Sequence, residues 1–408
     1  MNLFYNIGIG FAELGMRIAS PWHRKARLTV QGQARTMDYL KQTLDPQGGY
    51  IWIHTASLGE FEQGRPLIEK IREEHPDAKI LLSFYSPSGY EVRKDYDKVD
   101  AVCYMPMDTP GKVKAFLDAV KPKMAIFVKY EFWGNFLSEL KHRNVPTYII
   151  SAIFRPNQSF FKPWGGMFRN MLRCFTHFYV QNEESQRLLH GIGFDNVTVC
   201  GDTRLDRVLQ VKAAAHQFPV IEKFVKDTAH TLVMGSSWEP DEDIIIPYFN
   251  THPEMKLIIA PHEFNETRLA AMMERIKRPV ARYTQIEQHN PSELDCIIID
   301  CFGILSSLYR YGDIAYVGGG FGSGIHNVPE AAVYGIPVLF GPRHEKFKEA
   351  MELKACGGAF AISNAKQCNA VLDNLLNDKE ALKKAGNAAS NYITTNTGAT
   401  QKIYNDLF

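Results

Sequence analysis

The chain has 408 residues, of which 45% are hydrophobic and 22% charged, with 46 basic and 45 acidic side chains and a formal net charge of +1. That length exceeds one compact core and points to two domains, and the composition excludes large-scale disorder. The balanced charge argues against a dedicated nucleic-acid binder.

The N-terminal stretch "LFYNIGIGFAELGMRIASPWHRKARL" is apolar, then basic. It makes a poor signal peptide, because no charged segment precedes it and no cleavage site follows. It also makes a poor membrane span: Asn6, Glu13 and Arg17 interrupt a run already near the lower limit of about 17 residues. On a helical wheel Phe4, Ile7, Phe11, Leu14 and Ile18 share one face, and Arg17, Arg24, Lys25 and Arg27 follow. The pattern predicts an interfacial helix on an anionic leaflet, the alternative being a helix packed on the domain or a partner subunit.

Short β-rich runs then alternate with helical segments. "YIWIHTA", "AKILLSFY", "AVCYM", "KMAIFV", "PTYIISAI", "THFYVQ" and "VTVCG" make a first series. The rhythm lapses around residues 206–228 and restarts with "HTLVMGSS", "MKLIIAPH", "LDCIIID", "IAYVGGG" and "IPVLFG". This predicts two doubly wound parallel α/β domains. The divisions are an N-terminal amphipathic and basic segment (1–30), a first domain (31–206), a linker region (207–227), a second domain (228–390) and a C-terminal helix (391–408) able to cross back. Cys103, Cys174, Cys200, Cys296, Cys301, Cys356 and Cys368 form no CxxC pair, so they read as reduced thiols of a cytoplasmic protein with no zinc spacing.

Ligands of parallel sheets bind beyond the carboxyl ends of the strands, so the residues just after each run are the candidates, in a cleft between the domains. Ser57, Gly59 and Glu60 follow the first run. A carboxylate at a helix N-terminus is stabilised by about 0.3–1 kcal/mol through the dipole, which is reason enough for Glu60 to cap. The same dipole keeps it ionised and able to accept a proton. Glu131, in "FVKYEFWGN", is delivered near the same rim by another strand, with Phe132 and Trp133 as core or as an apolar floor. "CGDTRLD" places Arg204 where a cation could meet a phosphate. In the second half, "AYVGGGFGSGIHNVPEAAVYG" carries a Gly-rich loop, including Gly320 and Gly322, before a helix opened by Pro329. Its backbone N–H groups offer an anion site. His326, Asn327 and Glu330 follow, with Glu330 placed to accept from a ribose diol. Gly235, Ser236 and Ser237, then His262, then Phe302 and Gly303, follow three other strands to the same rim.

Taken in order, "WIHTASLGE", "YEFWGN", "QNEES", "GSSWEPDE", "APHEF" and "GSGIHNVPEAAVYGIPVLFGP" resemble the 3-deoxy-D-manno-octulosonate (Kdo) transferase family over nearly the whole chain. The resemblance implies a GT-B glycosyltransferase of two Rossmann-like domains that moves Kdo from CMP-Kdo to a lipid A precursor. It implies an inverting reaction without metal or other cofactor, at the cytoplasmic face of the bacterial inner membrane. Glu60 would be the general base. Ser57, Gly59, Glu131 and the basic residues Arg17, Arg24, Lys25 and Arg27 would serve the acceptor. Arg204, Gly235, Ser236, Ser237, His262, Phe302, Gly303, Gly320, Gly322, His326, Asn327 and Glu330 would serve the donor.

The chain departs from the family pattern in four places. Arg204 stands where Lys is common, which keeps the charge and changes the hydrogen-bonding geometry. "SAIFRPNQSFF" replaces an Ala-Arg-Leu-Ser pattern, with Arg155 in a shifted position. Gly134 replaces a common Pro, and the first helix is more polar. The competing readings are a GT-B enzyme with a UDP-sugar donor and a membrane-docking protein of this fold without turnover.

Overall fold

The computed structural model describes residues 3–408. They form two compact units: one runs to Arg207 and takes in Thr397–Phe408, the other is Val208–Asn396.

In the first unit seven strands form one parallel sheet. They are β1 (Tyr50–Thr55), β2 (Ile80–Phe84), β3 (Ala101–Tyr104), β4 (Pro122–Val128), β5 (Thr147–Ala152), β6 (His177–Val180) and β7 (Val197–Val199), in the order β3-β2-β1-β4-β5-β6-β7. Helices cover both faces, so the strands are buried on both sides and read as nearly continuous apolar runs. Along β1 the side chains alternate between two cores. Trp52 packs with Leu81, Phe127 and Phe136, while Ile51 and Ile53 pack with Leu82, Ile126 and Val128 on the opposite face. The strand order reverses direction between β1 and β4, where ligands of such sheets bind.

Two N-terminal helices flank this sheet. Helix α1 (Leu3–Ala19) buries no residue completely, and α2 (Arg24–Thr43) lies along β3 with Thr36 Oγ1 donating to Tyr104 O at 2.9 Å. Because α2 begins at Arg24, the basic residues expected in a separate segment up to residue 30 are instead its first turns. Helix α3 (Leu58–Glu74) follows β1 directly.

The second unit repeats the plan. Its strands are β8 (His230–Ser237), β9 (Met255–Pro261), β10 (Val280–Arg282), β11 (Cys296–Ile298), β12 (Ile314–Val317), β13 (Val338–Phe340) and β14 (Ala359–Ala361), parallel in the order β10-β11-β9-β8-β12-β13-β14. Here the order reverses between β8 and β12. Strands β10 and β14 were not expected; each has three residues, and they sit at the two edges of the sheet, where partial exposure breaks the apolar signal.

The stretch read as a linker, 207–227, is mostly helical. The division between units falls inside the helix Thr203–Ala213, and a second helix runs over Pro219–Val225. Residues 391–395 remain in the second unit's helix Lys379–Thr395, so the returning segment begins at Thr397 rather than at 391. That segment's helix Ala399–Leu407 rests on the first unit, where Asp206 accepts from Gly398 N and Thr400 N at 2.6 Å each, and Ile403 is fully buried.

Candidate active site

At the first unit's reversal point, β1 ends and α3 starts within three residues. Ser57 is the N-cap of α3, and Glu60 sits at the third helical position, the spacing of a capping box. The box is not made. The Ser57 hydroxyl donates to Glu60 Oε2 rather than accepting from the helix backbone. Glu60 is therefore no cap for its own helix. It is half-buried, oriented by Ser57, and stays in the field of the first turn, where negative charge is favoured.

Strand β4 pairs with β1 and delivers Glu131 to the same rim. Glu131 is buried, and its Oε2 accepts from Trp133 Nε1 at 2.6 Å and faces His54 Nε2 at 3.1 Å. His54 Nδ1 meets Ser83 Oγ at 2.9 Å, and Ser83 Oγ accepts from Trp52 Nε1 at 2.8 Å. Buried polar groups of two strands, β1 and β2, are thus chained to one carboxylate. The Tyr85 ring packs beside that of Trp133, 4.8 Å between centres. Burial raises the Tyr85 phenol's pKa, and the nearby Glu131 charge raises it further. His54, Ser83 and Tyr85 were not singled out from the sequence, because a histidine or serine inside an apolar strand carries no sign of what it faces.

Helix α1 reaches this loop through its inner side. Tyr5 Oη donates to Asp108 Oδ2 at 2.5 Å and accepts from Gly134 N at 3.0 Å, and Asn135 Nδ2 donates to Asn6 Oδ1 at 2.8 Å. Asp108 also accepts from Asn135 N and Phe136 N, capping the helix Gly134–His142 from a distant loop. Burial pushes the Asp108 carboxyl up to about 6, against the pull of these donors. Glu13 bridges Lys112 at 2.7 Å and Arg17 at 2.6 Å. The apolar stripe expected on α1 faces outward: Phe4 is 81% exposed, Phe11 69%, and Ile7, Leu14 and Ile18 are also exposed, with Trp22 83% exposed in the turn that follows. The stripe does not pack on its own domain; the polar face does. Arg24, Lys25 and Arg27 are exposed at the start of α2, where the helix dipole disfavours positive charge.

Arg204 opens the helix after β7, in the first unit. Its guanidinium pairs with the half-buried Asp202 (Nε–Oδ2 2.9 Å, Nη2–Oδ2 2.6 Å), and Gln63 Nε2 holds the other oxygen at 2.9 Å. Despite desolvation, the Arg204 charge and these hydrogen bonds keep the Asp202 carboxyl below its usual pKa. Arg155 is exposed and lies 5.7 Å from the centre of the Tyr130 ring.

In the second unit the residues after β8 and β12 meet at the reversal point. Buried Asp241 accepts from Trp238 N (3.0 Å), Tyr316 Oη (2.8 Å) and Gly319 N (3.0 Å), tying the exits of both strands together. Ser237 Oγ donates to buried Glu242, which also accepts from Arg268 at 2.8 Å. Trp238 Nε1 donates to His326 Nε2 at 3.2 Å, and the His326 ring stacks on His262 at 4.2 Å. Burial, then the neighbouring His262, pushes the His326 imidazole down to about 4. It is neutral at physiological pH, with its proton on Nδ1. Asn327 Nδ2 donates to Glu330 Oε1 at 2.7 Å, and exposed Phe302, beside Gly303, stacks on Phe264 at 4.9 Å.

The Gly-rich loop differs from the expected anion cradle. Gly319 N goes to Asp241, Gly322 N and Gly324 N turn onto Gly319 O, and His326 N onto Gly318 O. The helix behind it, Pro329–Ala332, is a single turn, too short for much of a dipole. Two of the expected ligand glycines have packing reasons: a Cβ on Gly235 would lie 2.0 Å from Tyr309 Oη, and one on Gly320 would lie 2.6 Å from Gly341 Cα. Gly322 is exposed and free of such contact, and Ser236 stands at the end of β8 with a φ of 50°. A left-handed serine there is a strained backbone held by its surroundings. Among the described residues no group of three or more His, Cys, Asp or Glu is placed to hold a metal ion.

The family model described as 3-deoxy-D-manno-octulosonic-acid transferase matches residues 23–207. A 3-deoxy-D-manno-octulosonic acid transferase of Aquifex aeolicus is 30% identical over 351 residues, covering 84% of this chain and 90% of that one. The chain belongs to the Kdo transferase family. A Haemophilus influenzae relative of the same description is 25% identical over 88% of this chain and 86% of its own. Among solved structures, a UDP-GlcNAc 2-epimerase from Neisseria meningitidis superposes with a TM-score of 0.62 at 15% identity, covering 88% of this chain and 99% of that one. One from Methanocaldococcus jannaschii gives 0.54 at 14%, covering 85% and 99%. At such identities the likeness speaks for the fold alone, and it is the two-domain GT-B fold. As a family member the chain is a glycosyltransferase. Within this Kdo transferase fold, Ser57, Gly59, Glu60 and Glu131 gather at one unit's reversal point. Ser236, Ser237, His262, His326, Asn327 and Glu330 lie on the rim of the other.

Proposed function

We propose that the protein transfers Kdo from CMP-Kdo to a sugar hydroxyl of a lipid A precursor of the lipid IVA type, in lipopolysaccharide biosynthesis at the cytoplasmic face of the inner membrane. The observation that carries this reading is Glu60: a carboxylate released from capping, oriented by Ser57, at the switch point of the first sheet. Glu60 takes the proton of the acceptor hydroxyl while that oxygen bonds to the anomeric carbon of Kdo from the face opposite the leaving group. The bond from that carbon to the phosphate oxygen breaks, and CMP leaves with the electron pair, so the configuration inverts. Glu131 orients the acceptor.

The second unit takes the nucleotide. The Arg204 cation offsets the negative charge on departing CMP, and the reaction as proposed uses no bound metal. Glu330 and Asn327 serve the ribose, and Phe302 offers the base an exposed ring already stacked on Phe264. The outward apolar stripe of α1, followed by Arg24, Lys25 and Arg27 at a helix end that disfavours them, supports docking on an anionic leaflet that also supplies the phosphorylated acceptor.

The test is to incubate the protein in detergent with CMP-Kdo and a tetraacyl lipid A precursor, beside Glu60→Gln, and follow the lipid mass. We expect a Kdo increment with the wild type and a rate lower by roughly two orders of magnitude or more with the variant, as for loss of a general base. An increment at equal rate with both moves the base elsewhere. No increment with either, from folded protein, sends the donor assignment to UDP-sugars, read by whether UDP protects against heating better than CMP.

A further inference from the structure

We infer that His54 is a positioning residue for the acceptor step: fixed by Ser83, it holds one oxygen of Glu131 so that the other is presented to the incoming hydroxyl. This deepens the proposed function and rests on it for the nature of the acceptor.

The donors and acceptors each side chain carries fix the direction of every contact in this chain. Indole N–H can only donate, so Ser83 Oγ accepts from Trp52 Nε1 at 2.8 Å. The serine proton is then directed at the next lone pair, His54 Nδ1, at 2.9 Å. With Nδ1 accepting, the imidazole proton sits on Nε2 and donates to Glu131 Oε2 at 3.1 Å. The other tautomer would set a nitrogen lone pair against a carboxylate oxygen at that distance. Trp133 Nε1 donates to the same Oε2 at 2.6 Å, so both protein donors converge on one oxygen and leave Oε1 for a ligand.

Packing shows why a histidine is there. Its side chain is fully buried, with the rings of Phe127 at 5.7 Å and Trp133 at 6.3 Å. An apolar residue would fill that space without a polar group to satisfy. What it would lose is the link between the Glu131 loop and the sheet. Trp133 lies two residues from Glu131 and moves with it, whereas His54 belongs to β1 and is backed by Ser83 of β2. His54 thereby fixes Glu131 relative to the strand that, six residues later, delivers Glu60.

Two measurements test this. In the first, ring nitrogens of 15N-histidine-labelled protein are observed by NMR, with His54 assigned by its disappearance in His54→Gln. We expect a pyridine-like Nδ1 and a pyrrole-like Nε2. The reverse tautomer in wild type overturns the proposal, whatever the substrate proves to be. In the second, Kdo transfer is measured for His54→Gln, His54→Asn and His54→Leu, each also in a Glu131→Gln background. Gln keeps a donor at the Nε2 position, whereas Asn reaches only toward Ser83. We expect Gln to retain most activity. Asn and Leu should each lose about tenfold or more in kcat/KM for the lipid, the scale of a hydrogen bond to a charged group. The CMP-Kdo KM should not change. In the Glu131→Gln background the Leu substitution should cost little further. Full additivity there, or Asn equal to Gln, would show a core defect only. A wild type that makes no Kdo-lipid leaves the NMR result to decide the assignment while the function fails.

Discussion

The His326 ring is wedged against His262 and accepts from Trp238, an arrangement with room for a lone pair and none for a second proton. Its imidazole is held down at about 4, while in the unfolded chain it titrates at about 6.5. The unfolded state therefore takes up the proton first as pH falls. The contribution of this residue to stability is intact above pH 6.5 and drains away as pH drops toward 4. Thermal melts across that window should show His326→Gln losing less of its Tm on acidification than the wild type; parallel slopes would mean the ring is accessible and ordinary. At this scale the sequence was informative about which residues reach the rims and poor on what they do there. Glu60 was legible because a strand, a small-residue turn and an acid at a helix start make a local pattern. The partners of Glu131 were not, since His54 and Ser83 lie 77 and 48 residues away from it and come together only through strand pairing. The Gly-rich loop is ambiguous for a related reason: glycine marks close backbone approach, and the packing of Gly320 on Gly341 demands that as readily as a ligand does.

Helix α1 shows how a single element is read by two environments. Its polar side is bound to the first unit by Tyr5, Asn6 and Glu13, and its apolar side is left open. Each large apolar side chain moved from water into an apolar phase is worth about 1.5–3 kcal/mol, so a single Phe should change vesicle partitioning by about tenfold or more. Phe11→Glu should weaken binding to anionic vesicles by at least that factor and leave Tm in solution unchanged, because that ring contributes little to folding. Vesicle flotation beside a thermal melt checks both halves; a lowered Tm with unchanged flotation would assign the stripe to packing. No helix among the described residues is long and apolar enough to cross a membrane. The wheel pattern was readable because amphipathicity is local. The short edge strands β10 and β14 were not, because their half-exposed residues carry no run of apolar side chains.

On the scale of the whole molecule, the first unit is built from two separated lengths of chain. Its last piece, from Thr397, seats Ile403 in the core with Ile71 and Tyr179 and sets Tyr404 Oη 3.0 Å from Nε2 of His75, the C-cap of α3. Removing residues 397–408 should destabilise this unit by roughly 2–5 kcal/mol, the range for emptying a buried aliphatic site. CMP protection of the second unit should survive. Limited proteolysis with and without CMP would show it: cleavage confined to the second unit would contradict the assignment.

That discontinuous construction also sets an order of events in synthesis. Residues 397–408 leave the ribosome only after the whole of Val208–Asn396 has been made. At about 5–20 residues per second this delay is on the order of ten to forty seconds, long compared with the folding of a domain. During it, the groove on α3 that Ile403 and Tyr404 will fill stands open, while α1 already offers a greasy stripe to whatever is near. The nascent enzyme is therefore at its most adhesive before it is complete. A bilayer that captures α1 during that interval would spare the unfinished chain from its neighbours.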